Sequence, residues 1–316
     1  MSEFGILIIT HNSAGHIGPC LDRALMTGAP VLVVDNASQD GSLAEAQSRP
    51  LAQVVANGRN EGFAQAVNQG IELLDTPYVL LLNPDVRLET PLDALLEECA
   101  WPDVAAVTGC LVGKDDRPQT GFMVRRFPTP WSLAFEVLGI NRIWPRNPVN
   151  RRYRHLDLDA ACAQDVQQPA AAFLLVKRSV WLGLGGFDEG FQPVWFEDVD
   201  FCRRAVQAGH RIRYVPTVAA RHAGGHSVSK MPRQQGRVSW YSNLLRYGSK
   251  HFDTPAFRMV CVAVMAGSLL RGLGGLVYGK SRGRLLRTYW QVTRLAARAL
   301  VRGKCREGLP VAVPVR

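Results

Sequence analysis

The chain opens as an alternation of short apolar runs and amphipathic segments. Gly5–Thr10 (GILIIT) is a β-branched run closed by His11-Asn12-Ser13, a turn and helix-cap cluster, with a helix expected to about Ala24. Val31–Asp35 (VLVVD) is a second such run, followed by NASQDGS and another helix. QVVANG leads into NEGFAQAVNQGIELL, where Phe63, Val67 and Ile71 recur at the period of one helix face. Tyr78–Asp85 (YVLLLNPD) is the most apolar strand of the set, and a helix over Leu92–Cys99 and a strand VAAVTGCLV come after it. Strands alternating with helices predict a parallel α/β sheet covered on both faces. Ligands of such sheets lie beyond the carboxyl ends of the strands. Those ends carry Thr10, Asn12, Asp35, Asn36, Asp40 and Asp85.

The pattern lapses from Lys114 to Gln168, a stretch rich in Pro and Arg with Trp131, Phe135 and Trp144 embedded. It reads as a long irregular insertion, a lid or substrate loop, with one helix near Trp131–Leu138. Order resumes with AAAFLLVKRSVWLGLGGFDE, a strand and short helix, and reaches an acidic and aromatic stretch, Gly185–Ala205. Asp188, Glu189, Glu197, Asp198 and Asp200 stand there among Phe187, Phe191, Trp195, Phe196 and Phe201. Carboxylates among large apolar rings are costly unless paired, liganded or used. Phe201, Ala205 and Ala208 mark a helix whose first turn holds the acids, where the helix dipole supports negative charge. Asp198 is therefore the expected catalytic base. RIRYVP is a further strand, and ARHAGGHS follows it.

From Val238 the chain reads as helical. FRMVCVAVMAGSLL is bracketed by Arg258 and Arg271 with 12 uncharged residues between them, short for a membrane span and suited to a buried or interfacial helix. Arg284–Arg302 places Arg284, Arg287, Arg294, Arg298 and Arg302 opposite a stripe of Leu285, Tyr289, Val292, Ala296 and Leu300, the pattern of a membrane-surface helix or of a helix packed on the core with a solvated Arg face. Charge sharpens this division. The 316 residues carry +10, of which the segment from Arg237 onward holds 15 Lys/Arg against Asp253 and Glu307, or +13, leaving −3 for the rest. That asymmetry points to an anionic surface as partner. No nucleic-acid-binding module is recognisable, which leaves a membrane rather than nucleic acid. The seven cysteines are scattered with no C-x-x-C pair, against a disulfide framework or zinc site and in keeping with a reducing, cytoplasmic compartment. MSEFGILIITHNS has no basic n-region, and no signal peptide is expected.

Taken singly, the motifs stay open. Asp35 in VVDNASQDGS suits a hydrogen bond to a nucleotide base or ribose, or an Asp-Asn turn capping the next helix. Asn60-Glu61-Gly62 opens a helix, with Gly62 placed for close backbone approach to a ligand or simply for a helix start. Asn83-Pro84-Asp85 ends an apolar strand, where a carboxylate can hold a divalent cation bridging a diphosphate. His222 is a further candidate ligand, with His226 as its competitor.

Taken together, ITHN, VVDNASQDG, NEGFAQAVNQG, LLNPD, GGFDE, FEDVDFCRR, RHAGGHS and the later WYSNLLRYGSKH resemble, in order over about residues 4 to 251, the signature of glycosyltransferase family 2, in its rhamnosyltransferase-like branch. The resemblance implies a GT-A fold, a Rossmann-like α/β domain with a mixed, mainly parallel sheet and flanking helices, over residues 1–236. Its nucleotide-sugar half would span 1–112, the insertion 113–168 and the acceptor half 169–236, with a basic helical region over 237–316. It further implies that Thr10, Asn12, Asp35, Asn36, Asn60 and Asn83 hold the nucleotide sugar. Asp85 and His222 would hold Mg²⁺ or Mn²⁺, Asp198 would be the base and Glu197 its acidic neighbour. The implied reaction is inverting transfer from a nucleotide-diphosphate sugar, rhamnose on dTDP, to a glycan or lipid-linked acceptor at the inner face of a membrane. Asn83 departs from the commoner Asp-x-Asp, leaving Asp85 as the sole acid there. The Q-x-x-R-W pattern of processive synthases is absent, so one sugar per encounter is expected. A sugar nucleotidyltransferase would want a lysine in the first loop, and THNSAGHIG has none.

Overall fold

The computed structural model describes residues 2–224, 231–278 and 282–303. Its strands are β1 (Phe4–Thr10), β2 (Val31–Asp35), β3 (Ala52–Ala56), β4 (Tyr78–Leu82), β5 (Val86–Leu88), β6 (Val104–Val112), β7 (Val124–Arg125), β8 (Gln164–Asp165), β9 (Gln168–Pro169), β10 (Phe173–Lys177) and β11 (Arg211–His222). One sheet runs β3-β2-β1-β4-β10-β6-β11-β5, with β8 beside β11, and β7 pairs with β9 separately. The first four strands are parallel, as their helical crossovers require. Residues Ile6–Ile9, Val31–Val34 and Val79–Leu82 are buried throughout, because helices cover both faces.

The sheet is mixed and mainly parallel, as the resemblance implies, with β10 running antiparallel to both β4 and β6. The chain reaches β10 from the insertion, so it enters at the carboxyl end of β4, with Phe173 opposite Leu82. That entry places Gln168–Ala172 beside the ends of the nucleotide-side strands. The strand expected over RIRYVP runs on to His222, with a register break between Val215 and Ala219 that lets one strand serve two partners. The insertion is also less irregular than its sequence suggests. It holds the expected helix, at Pro130–Leu138, with Thr129 as its cap, and short helices at Ile140–Ile143 and Pro148–Tyr153.

Two hydrophobic cores result. The first is the sheet with its helices, into which Trp181, Phe187 and Phe201 stack with centroids 4.5 to 5.8 Å apart. Full burial of each such ring is worth roughly 2–3 kcal/mol. The second joins the Pro130–Leu138 helix and Phe191–Val199 to the helices Arg233–His251, Thr254–Tyr278 and Arg282–Arg302. The C-terminal helices therefore pack directly against the insertion helix and the 191–199 segment. Of the expected stripe Tyr289, Val292 and Ala296 are buried and Leu285 and Leu300 partly buried, with Ala299 buried beside them, while the arginines 284, 287, 294, 298 and 302 are exposed.

Asp200 ties the two cores together. It is fully buried, and it meets Arg204 at 2.8 Å, Lys250 at 2.7 Å and His251 at 2.7 Å. Burial alone would raise its pKa, but the His251 hydrogen bond and the Arg204 and Lys250 charges hold it below the ordinary carboxylate range. Asp200→Ala should lower unfolding free energy by about 3 kcal/mol, since it strands buried cations. Urea denaturation of variant and wild type checks this. The sign with pH follows. A depressed Asp stabilises the fold above its unfolded pKa and loses that contribution as pH falls through the carboxylate range. The gap between wild type and variant should therefore begin to narrow below about pH 4 and keep narrowing as pH falls toward the depressed folded-state pKa.

Candidate active site

The strand ends and the first turn of the Glu197–Gln207 helix converge on a cavity of about 540 Å³. Of the residues singled out in sequence, Asn36, Asn60, Asn83, Asp85, Glu197, Asp198 and His222 line it. Thr10, Asn12 and Asp35 sit just behind it. Thr10 and Asp35 are register partners across β1 and β2, both buried, and Thr10 Oγ1 and Asp35 Oδ1 find no hydrogen-bond partner among the described residues. Asp35 Oδ2 accepts from the Ser38 amide at 3.0 Å, which closes a turn but caps no helix: the next one, Ser42–Gln47, has Gly41 at its N-cap and no side-chain cap bond.

The asparagines are largely spent on the loops. Asn12 Oδ1 accepts from the Gln39 amide at 2.7 Å. Asn36 donates to Asn60 Oδ1 at 2.9 Å and to the Gly62 carbonyl at 3.1 Å, and its own oxygen accepts from the Glu61 amide at 3.0 Å. Asn36 thus clamps the 57–62 loop to the end of β2. Gly62 is required here for a reason other than ligand approach. Its φ is +86°, and a Cβ would collide with the Gln192 side chain.

At the other end of the cavity, Asp85 lies in the turn between β4 and β5, and His222 ends β11. Asp85 Oδ2 stands 3.5 Å from His222 Nε2. Gln119 fixes the imidazole: its amide nitrogen donates to the His222 carbonyl at 3.1 Å, so its oxygen faces Nδ1 at 2.7 Å and must accept the Nδ1 proton. Phe122 stacks on the ring at 4.9 Å. Burial pushes the His222 pKa down against the pull of Asp85, so the ring is neutral and turns the Nε2 lone pair toward a carboxylate. Two electron-rich groups facing one another at that distance favour a cation between them. Among the described residues no third His, Cys, Asp or Glu joins the pair. His226 lies outside the described residues. Gln119 was missed in the sequence, because nothing in a proline-rich insertion marks one glutamine as a histidine's partner.

The acidic stretch sorts into separate roles. Asp188 pairs with Arg246 at 2.7 Å and Lys250 at 2.6 Å, and Glu189 accepts from Asn68 at 3.0 Å, so both are structural. Trp195 and Phe196 adopt left-handed backbone, φ +85° and +75°, which costs on the order of 1–3 kcal/mol each. Asn243 holds that strained loop, donating to the carbonyls of Gln192, Val194 and Trp195 at 2.9 to 3.2 Å. The loop delivers Glu197 and Asp198 to the cavity. Asp198 accepts from the Val199 amide at 2.8 Å and the Ala171 amide at 3.3 Å. Burial raises its pKa; those two amides and the Arg125 charge oppose the rise. Glu197 is buried with Oε2 unpartnered, and burial, then the Asp198 charge, push its pKa well up. The better-stabilised anion is Asp198, with Glu197 keeping its proton longer.

The model of glycosyl transferase family 2 matches residues 5–164. An N-acetylglucosaminyl-diphospho-decaprenol L-rhamnosyltransferase of Mycobacterium tuberculosis is 32% identical over 255 residues, 74% of this chain and 81% of that protein. Rhamnosyltransferase WbbL of Escherichia coli is 31% identical over 175 residues, 54% of this chain and 61% of that one. The solved mannosyltransferase PcManGT of Pyrobaculum calidifontis, in complex with GDP-Man and Mn²⁺, superimposes with a TM-score of 0.52 at 18% identity, covering 95% of this chain and 85% of that one, which bears on the fold. The mixed, mainly parallel sheet with flanking helices is that of the GT-A enzymes. The chain is a glycosyltransferase and belongs to family 2, with rhamnosyltransferases among its relatives.

Proposed function

We propose that this enzyme transfers a single sugar, rhamnose from dTDP-rhamnose, to a hydroxyl of a lipid-linked glycan, with inversion and with a divalent cation. The observation that carries the reading is one cavity holding the Asp85–His222 pair and the Asp198–Glu197 pair together. Asp85 and His222 Nε2 would hold Mg²⁺ or Mn²⁺, which supplies charge neutralisation for the departing diphosphate. The unpartnered Thr10 and Asp35 oxygens suit the nucleoside, as buried polar atoms normally find a partner. Asp198 takes the proton of the acceptor hydroxyl, whose oxygen attacks the anomeric carbon as the bond to the diphosphate breaks on the opposite face. Glu197, neutral, leaves Asp198 as the only anion of the pair. A screen of transfer from dTDP-rhamnose and from the GDP- and UDP-sugars, with Mn²⁺, Mg²⁺ or EDTA, tests this. Transfer only from another donor rules out rhamnose, and full transfer in EDTA rules out the cation.

The membrane reading gains support from the two last helices. Thr254–Gly274 has mean hydropathy 1.5 yet is 44% buried against protein, which suits a helix resting at an interface. Leu269, Leu270 and Leu273 are exposed on it, and Leu286 and Trp290 are exposed on the basic helix. The two rows adjoin: a Cβ on Gly272 would stand 3.9 Å from Leu286. Exposed apolar side chains beside five exposed arginines fit anionic lipid. The protein should float with anionic but not zwitterionic liposomes. Replacing Arg287, Arg294 and Arg298 with Gln should weaken binding roughly 100-fold, at about 1 kcal/mol per charge.

A further inference from the structure

The insertion brings two arginines into the cavity wall that the donor chemistry leaves unused. Arg125 closes β7, and Arg154 follows the Pro148–Tyr153 helix. The two segments are joined by backbone, with the Arg126 amide donating to the Tyr153 carbonyl at 3.0 Å. Arg125 lies 5.9 Å over the Tyr153 ring, and its Nε is fixed by the Gly121 carbonyl at 2.7 Å. A Cβ on that same Gly121 would stand 3.4 Å from Arg154 Cβ, so the second arginine starts from the same spot. Arg154 Nε donates to Asn150 Oδ1 at 3.3 Å.

Among the described residues neither guanidinium has a carboxylate within 4.0 Å, whereas Arg204, Arg213 and Arg246 each do. Both are half-buried. Charge partly removed from water with no carboxylate in contact is expensive, and Asp198 acts on Arg125 only at longer range. An anion with several oxygens relieves that cost, through the paired N–H groups a guanidinium offers. A second orphan stands beside them. Gln168 is register partner of Arg125 across β7 and β9, only 5% exposed, and its Oε1 has no partner. That oxygen needs a donor, and a sugar hydroxyl supplies one. A ligand offering phosphate to the arginines and a hydroxyl to Gln168 is a glycosyl phosphate. The donor's diphosphate has its own place at Asp85 and His222, on the ends of other strands.

We infer that Arg125, Arg154 and Gln168 form a subsite for the diphosphate and first sugar of a polyprenyl-diphosphate-linked acceptor. This rests on the reading of a lipid-linked acceptor, but its test involves no sugar transfer, so the two fail separately. Farnesyl diphosphate is the probe, titrated calorimetrically into the full chain in EDTA, where no cation can draw it to Asp85. Farnesol is the uncharged control, and dTDP with Mn²⁺ reports the donor side. Arg154→Gln should weaken farnesyl diphosphate about tenfold, the worth of a charge-assisted contact, and the Arg125→Gln/Arg154→Gln double variant about 100-fold. Arg154→Lys, which keeps the charge but not the paired N–H groups, should bind between wild type and Arg154→Gln. Farnesol should not distinguish the variants, and the dTDP affinity of Arg154→Gln should stay within about twofold of wild type. Equal farnesyl diphosphate affinity in wild type and the double variant overturns the proposal. So does a loss that appears with dTDP instead, which would give the arginines to the donor.

Discussion

Asp198→Asn lowers the rate of sugar transfer about 10³-fold, near the middle of what a positioned general base contributes, and leaves donor binding in place. The asparagine is close in shape, and its oxygen keeps one of the two amide bonds that the carboxylate accepts from Val199 and Ala171. The lost property is basicity. Glu197→Gln is the matched control. If Glu197 keeps its proton in the active form, a neutral amide imitates it, and the rate stays within about tenfold of wild type. The reverse ranking, with Glu197→Gln the dead variant, would assign the base to Glu197. The pH profile gives an independent readout. Asp198 must be ionised to accept a proton, and burial raises its pKa. The acid limb of kcat/KM should therefore lie above the ordinary carboxylate value of about 3.9. Arg125→Gln removes a charge that favours the anion and should move that limb further up. An acid limb at the ordinary value would mean that the cavity does not perturb its base.

The order of strands, the covered sheet, the helix of the acidic stretch and the apolar stripe of the last helix were legible because each is written in local periodicity. β10 was legible as a strand but not in its direction, which depends on where the insertion returns the chain. That the acidic stretch borders a cavity was legible because five acids among aromatic rings demand an explanation. Their sorting was not, since the partners of Asp188 and Asp200 stand some 50 to 60 residues away. The stretch WYSNLLRYGSKH shows the same limit from the other side. Trp240, Asn243, Tyr247 and Lys250 recur at helical spacing, a readable face, yet only the fold shows what they meet. Trp240 lines the cavity, Asn243 holds the strained 192–195 loop, and Lys250 neutralises both buried aspartates. Gln119 had no signal at all. It acts on His222 through a tertiary contact spanning 103 positions, from a segment whose sequence carries no period.

On the proposed reading Asp85→Ala should reduce kcat/KM about 10³-fold, because Asp85, the acid beside His222 among the described residues, would anchor a cation on the diphosphate. Asn83 offers only a neutral amide in the position where an Asp-x-Asp motif has its first acid, so the loss is not shared with a neighbour. A large loss alone would not separate a metal ligand from a structural carboxylate, and Gln119 provides the separation. The Gln119 oxygen holds the proton on His222 Nδ1 and so keeps Nε2 free. Gln119→Leu releases that choice, and a ring that moves its proton to Nε2 donates to Asp85 instead of coordinating. The Mn²⁺ concentration for half-maximal activity should then rise about tenfold, the low end for loss of a histidine's hydrogen-bond partner, with the rate recovering at saturating Mn²⁺. Were Asp85 and His222 merely a buried structural pair, the substitution would lower the melting temperature and leave the Mn²⁺ titration where it was. Following both quantities on the same preparation decides between the two, and a shifted titration with an unshifted melting temperature is the expected result.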